Sequence, residues 1–222
     1  LCSPSNPQGA VATSEYWIEL LNLAERYDFT IFADECYAEI YRDQAPSGAL
    51  EALHKITANP ERLVVFHSLS KRSNLPGLRS GFLATGPENL KRLSQLKSYG
   101  GAPLPKPLQY AAAAVWNDEE HVKENRKLYS AKYKLADDIL SGLDGYSSPE
   151  AGFFLWLKVQ DSEKTTLDLW RETGVRVLPG AYLAQETNGR NPGQNFIRVA
   201  LVAQQNVTGE ALTKIRSFLD KQ

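Results

Sequence analysis

Six side chains able to do chemistry follow two short β-rich runs or lead into a third. Asp34 and Tyr37 come after residues 29–33, in DECYAEI, and Ser68, Ser70 and Lys71 come after residues 62–67, in SLSKR. Arg79 stands eight positions beyond Lys71, in a Leu-Pro-Gly-Leu-Arg turn before a third run at residues 80–85. In open α/β sheets ligands sit outside the carboxyl ends of the strands. A carboxylate, a phenol, two hydroxyls, an amine and a guanidinium gathered there define a candidate ligand site. Taken singly, each has an ordinary structural explanation. A lone lysine is most often a solvated surface residue, Asp34 can be a turn residue or cap, and Ser68 or Ser70 can cap a helix. Their joint placement is what carries weight.

The elements that must hold these residues alternate. Thr13 or Ser14 caps an amphipathic helix in which Trp17, Leu20, Leu21 and Ala24 recur at helical spacing. The three β-rich runs follow, and Gly86-Pro87 then opens a helix over residues 88–99. Strands alternating with helices predict an α/β sheet with mainly parallel strands, although strand direction is not readable from the pattern. Prolines at 103, 105 and 107 break residues 100–107, which exclude a regular helix or a central strand. Helical sequence through 111–114 and a long helix over 118–143 come next. Shorter pieces follow: strands at 153–159, 175–178 and 196–201, with helices at 165–173 and 208–219. The change of grammar predicts two domains, residues 1–112 and, over residues 113–222, a separate small α+β domain.

Composition narrows the function. With 25 Lys+Arg against 26 Asp+Glu, the net charge of −1 gives no electrostatic footing for nucleic acid or an anionic membrane as main partner. No apolar run approaches the roughly 20 residues that cross a bilayer. Cys2 and Cys36 are too few for a disulfide framework, and His54, His67 and His121 are scattered, so no metal site is expected. These features predict a cytoplasmic chain.

Two further segments complete the pattern: SNPQG at 5–9, with Asn6 in a strong turn signal, and NFIRVAL at 195–201, with Arg198 in a strand. In order and spacing, these two, DECYAEI at 34–40 and SLSKRSNLPGLRSGF at 68–82 resemble the class I/II aminotransferases, fold type I enzymes dependent on pyridoxal 5'-phosphate. The likeness covers essentially the whole chain.

The resemblance implies a role for each residue. Lys71 matches the lysine that forms a Schiff base with the cofactor and then moves protons. Asp34 matches the carboxylate that keeps the pyridine nitrogen protonated, and Tyr37 and Asn6 the pair at the ring's phenolic oxygen. Ser68, Ser70 and Arg79 resemble a phosphate cup, with Ser70 the weakest of the three. Arg198 matches the clamp on the substrate α-carboxylate, with Asn6 beside it. Gly152-Phe153-Phe154 and Pro179-Gly180 resemble substrate-side loops expected to act through their backbone.

The implied activity is transfer of an amino group from an amino acid to a 2-oxo acid by a ping-pong mechanism, in a homodimer. The run from Ala102 to Tyr129 is most similar to bacterial succinyldiaminopimelate transaminases, and N-succinyl-diaminopimelate or aspartate is the expected donor. A cysteine-conjugate β-lyase and the aminotransferase-like sensor domain of a transcription regulator are the alternatives. The sequence contains no methionine, and its motifs start where the family's phosphate loop, ring-stacking aromatic and cross-dimer tyrosine would already have passed. The expectation is therefore the C-terminal half of a subunit, poorly soluble and inactive if expressed alone.

Overall fold

A computed structural model describes residues 1–101 and 103–221. Ala102, inside the proline-rich break and at the start of the run likened to succinyldiaminopimelate transaminases, and Gln222 lie outside the described residues. The chain divides into two compact units: Leu1–Ser5 with Ala10–Arg126, and Asn6–Gly9 with Lys127–Gln222.

The first unit opens with α1 (Ser14–Tyr27), whose N-cap is Thr13; its hydroxyl accepts from the Tyr16 N–H. Three strands follow: β1 (Ile31–Asp34), β2 (Leu63–Ser68) and β3 (Gly81–Thr85). β1 and β2 run parallel, whereas β3 pairs antiparallel with the other edge of β2. A parallel neighbour needs a crossover, and α2 (Ala49–Ile56) supplies it between β1 and β2. The twelve residues between β2 and β3 instead make α3 (Leu69–Arg72) and a 3-10 turn, Pro76–Leu78, and return the chain antiparallel. Leu1–Ser3 pair on the free edge of β1: Asp34 N–H donates to the Leu1 carbonyl at 2.8 Å and Ser3 N–H to the Asp34 carbonyl at 3.0 Å. Ile31, Ala33, Leu63 and Val65 pack on Trp17, Leu21 and Ala24 of α1 and Ala49 and Ala52 of α2, all buried. The unit continues through α4 (Pro87–Gly100) and α5 (Lys106–Trp116), where Pro107 is tolerated in the first helical turn. It ends in the first turns of α6 (Glu120–Leu140). The boundary expected at 112/113 falls inside α5.

The second unit contains the rest of α6 and an antiparallel sheet in the order β4 (Phe154–Lys158), β6 (Phe196–Ala200), β5 (Leu178–Pro179). β5 is shorter than the strand expected at 175–178, because Pro179 supplies no N–H and a 3-10 turn, Gly180–Leu183, follows at once. α7 (Ser162–Thr173) and α8 (Gln205–Leu219) complete the unit. Leu155, Leu157, Ile197, Leu169, Leu212 and Ile215 are among its buried apolar side chains. Asn6–Gly9 belong here because the Gly9 carbonyl accepts from Glu150 and Ala151 N–H, at 3.1 and 3.0 Å. Gly180 and Gly193 lie back to back. A Cβ on Gly193 would stand 2.0 Å from the Gly180 oxygen, and one on Gly180 would stand 2.4 Å from the Gly193 oxygen.

Candidate active site

Asp34 ends β1 and Ser68 ends β2, and parallel pairing matches Asp34 with Phe66, so both residues emerge at the same end of the sheet. Beyond Asp34 the backbone folds back in two turns, Ala38 N–H to the Glu35 carbonyl and Ile40 N–H to that of Tyr37. Asp34 Oδ1 accepts from the Cys36 N–H at 3.1 Å, which fixes the carboxylate over its own turn. Tyr37 is buried, and its ring centre lies 5.8 Å from Lys71 Nζ.

Ser68 is the N-cap of α3, with its hydroxyl accepting from the Ser70 N–H at 3.1 Å. The capping role left open between the two serines thus goes to Ser68. Its Oγ also lies 2.9 Å from Ser70 Oγ and 3.3 Å from the Ser80 carbonyl. Lys71 is the third residue of this one-turn helix. Arg79 has left-handed backbone, φ 54°, and its guanidinium donates to the Pro76 carbonyl at 2.9 Å. Leu69 N–H donates to the Ser80 carbonyl, which sets the Arg79 turn beside the serines. Burial, then the hydrogen bond and charge of Asp34, push the Cys36 thiol up from 9.0 to about 12.

Asn6 and Arg198 meet in the second unit. Arg198 Nη1 donates to Asn6 Oδ1 at 2.9 Å, and the guanidinium carbon lies 4.2 Å from the centre of the Phe154 ring. The Phe154 side chain therefore touches a site residue, whereas the sequence reading gave that loop a backbone role.

Three residues that the sequence reading did not single out support the first cluster. Glu35 is 6% exposed; Oε1 accepts from the Ala49 N–H of α2 at 2.7 Å and Oε2 lies 3.3 Å from His67 Nε2. His67 stacks on Phe82 at 5.1 Å. Arg72, also 6% exposed, donates to Ser73 Oγ and to the Val115 and Trp116 carbonyls at the end of α5, pairs with Glu119 and lies over the Trp116 ring. The only sequence signal for these three was adjacency, since each directly follows or precedes a residue already picked out. Among the described residues, no group of three or more His, Cys, Asp and Glu side chains could hold a metal ion. No described helix is long and apolar enough to cross a membrane.

The family model for aminotransferase class I and II matches residues 1–215. The chain belongs to that family. Among solved structures, an aminotransferase from Neisseria meningitidis superposes with a TM-score of 0.92 at 41% identity, over 98% of this chain and 56% of that one. A probable N-succinyldiaminopimelate aminotransferase from Thermus thermophilus superposes at 0.84 and 29% identity, over 98% and 57%. The 4-dedimethylamino-4-oxo-anhydrotetracycline transaminase of Streptomyces rimosus is 31% identical over 205 residues, 91% of this chain and 55% of that protein. The chain thus spans about half the length of the relatives it matches, and its fold is that of the fold type I aminotransferases.

Class I and II aminotransferases use pyridoxal 5'-phosphate. The donor set at the strand ends suits that molecule: an amine for its aldehyde, a carboxylate for its ring nitrogen, a phenol for its ring oxygen, and hydroxyls with a guanidinium for its phosphate.

Proposed function

We propose that these residues form part of the active site of a pyridoxal 5'-phosphate-dependent aminotransferase, with residues 1–112 in its large domain and 113–222 in its small domain. The supporting observation is the corner of the first unit where Lys71 faces Tyr37 at 5.8 Å, beyond the strand that ends in Asp34. When bound, the cofactor supplies an aldehyde that captures amines and a ring that accepts electrons from the substrate α-carbon. Lys71 is the nucleophile and the base that carries a proton away from that carbon. Asp34, held by the Cys36 N–H, pairs with the ring nitrogen, and Tyr37 donates to the ring oxygen. Ser68, Ser70 and Arg79 take the phosphate. Arg198 grips the substrate α-carboxylate through its planar fork, a geometry lysine cannot reproduce.

The amino donor is an amino acid and the acceptor a 2-oxo acid, in a cytoplasmic homodimer. N-succinyl-diaminopimelate is the donor favoured by the likeness to the Thermus protein, with aspartate the simpler candidate. The full-length protein, loaded with cofactor, should convert 2-oxoglutarate to glutamate with one of a panel of amino donors. Lys71→Ala should abolish this turnover, whereas Lys91→Ala should leave it intact. Retained turnover in Lys71→Ala, or release of pyruvate, ammonia and a thiol in place of transamination, would remove the proposal.

A further inference from the structure

Arg198 stands at one end of a column of rings. Its guanidinium lies on Phe154 at 4.2 Å, Phe154 packs against Phe153 at 4.6 Å, and Phe153 stacks on Tyr129 at 5.6 Å with planes 16° apart. Lys132 Nζ closes the far end, 5.0 Å from the Tyr129 ring, and donates to the Leu201 carbonyl at 2.9 Å. The Phe153 carbonyl in turn accepts from the Leu201 N–H at 2.8 Å. Tyr129, Phe153 and Phe154 are each at least nine-tenths buried. Burial also pulls the Lys132 ammonium below its ordinary pKa.

The strand register explains the arrangement. Trp156 lies opposite Arg198 in the β4–β6 ladder, so Phe154 is its diagonal neighbour on the same face of the sheet. A second diagonal, Trp156 on Phe196 at 5.0 Å and 7°, runs parallel to it. Residues of the opposite face, Leu155, Leu157, Ile197 and Val199, are buried in the core.

A ring face and a hydrogen bond hold a guanidinium differently. A hydrogen bond uses one of the five N–H donors, whereas face contact with a ring fixes the guanidinium plane and uses none. A group that must grip a carboxylate with two parallel N–H bonds needs its plane set to match that of the carboxylate. We propose that Phe154 is a positioning residue for Arg198, setting the plane of the guanidinium for a bidentate carboxylate and backed by Phe153 and Tyr129. The proposal rests on the reading of Arg198 as the carboxylate clamp.

The test compares Phe154→Leu, which keeps apolar volume without a ring face, and Phe154→Trp, which restores one, in the cofactor-loaded full-length protein. Phe154→Leu should raise the KM for 2-oxoglutarate about five- to tenfold, by more than kcat falls, and Phe154→Trp should return it to within about threefold of the parent. Without substrate, phenylglyoxal should label Arg198 several-fold faster in Phe154→Leu than in the parent or in Phe154→Trp, as read by peptide mass spectrometry. A KM and a labelling rate both unchanged in Phe154→Leu would overturn the proposal, as would a tryptophan variant no better than leucine. Arg198→Leu separates the two claims. If it leaves the KM for 2-oxoglutarate unmoved, the clamp reading fails, and the labelling rates still decide whether Phe154 positions Arg198.

Discussion

Arg72 in the first unit and Arg198 in the second both lie against an aromatic ring, at 4.9 Å over Trp116 and 4.2 Å over Phe154. Arg72 adds hydrogen bonds to two carbonyls and a hydroxyl and an ion pair with Glu119, so its donors are spent inside the protein. It is an anchor that ties the Lys71 turn to the end of α5. Arg198 combines its ring face with a bond to Asn6, and its position suits recognition. One chemical group thus serves as a structural anchor in one unit, and in the other lies beside a residue of the candidate site. If that contrast is right, stability should depend on Arg72 and ligand recognition on Arg198.

The sharpest break of the contrast is Arg72→Met. It removes the guanidinium from the Val115 carbonyl, which keeps the Asp118 N–H, from the Trp116 carbonyl and from the exposed Glu119 carboxylate, and should lower unfolding free energy by about 2–3 kcal/mol in urea titrations. Glu35→Gln comes next. Its neutral amide still reaches the Ala49 N–H but loses the negative charge at the start of α2 and its pairing with His67, for about 1–2 kcal/mol. Arg198→Met should cost less than about 1 kcal/mol, because the thioether can replace the guanidinium on the Phe154 ring, while abolishing measurable binding of 2-oxoglutarate by calorimetry. A larger stability loss in Arg198→Met than in Arg72→Met would reverse the comparison.

The smallest effect concerns Cys36. Its folded-state pKa, about 12, lies above the ordinary 9.0 because burial and Asp34 disfavour the thiolate. The unfolded chain therefore ionises first as pH rises. The Cys36 contribution to stability is complete below pH 9 and declines between pH 9 and 12. Urea midpoints measured from pH 8 to 10.5 should fall less steeply in Cys36→Ala than in the parent.

Much of this was legible in the sequence because the relevant signals are local. Thr13 caps α1 as the side-chain pattern predicts, and Trp17, Leu21 and Ala24 are the buried face of that helix. The turn residues after β1 and β2 could be picked out because short polar segments directly follow apolar runs. The antiparallel return of β3 was not legible, since residue alternation carries no strand direction. Nor were Arg72 and Phe154. An arginine on a one-turn helix reads as surface, and nothing local announces that the carbonyls it caps come 43 and 44 residues later. The diagonal between Phe154 and Arg198 exists only once the β4–β6 register is known.

The back-to-back glycines of the second unit bear on how this segment can change over generations. Residues 181–192 between them are largely exposed or half-exposed, so most single replacements there should be tolerated. Gly180 and Gly193 exclude a side chain by space: the Gly180 backbone fills the volume at Gly193, and the Gly193 and Phe196 carbonyls with the Trp156 ring fill it at Gly180. Neither can yield to make room, since neither has a side chain left to shorten. A saturation library over 180–193 should therefore show two intransigent ends enclosing a stretch that is permissive except at Gly189, whose φ of 72° disfavours a side chain, and no second-site change at one end should rescue a replacement at the other.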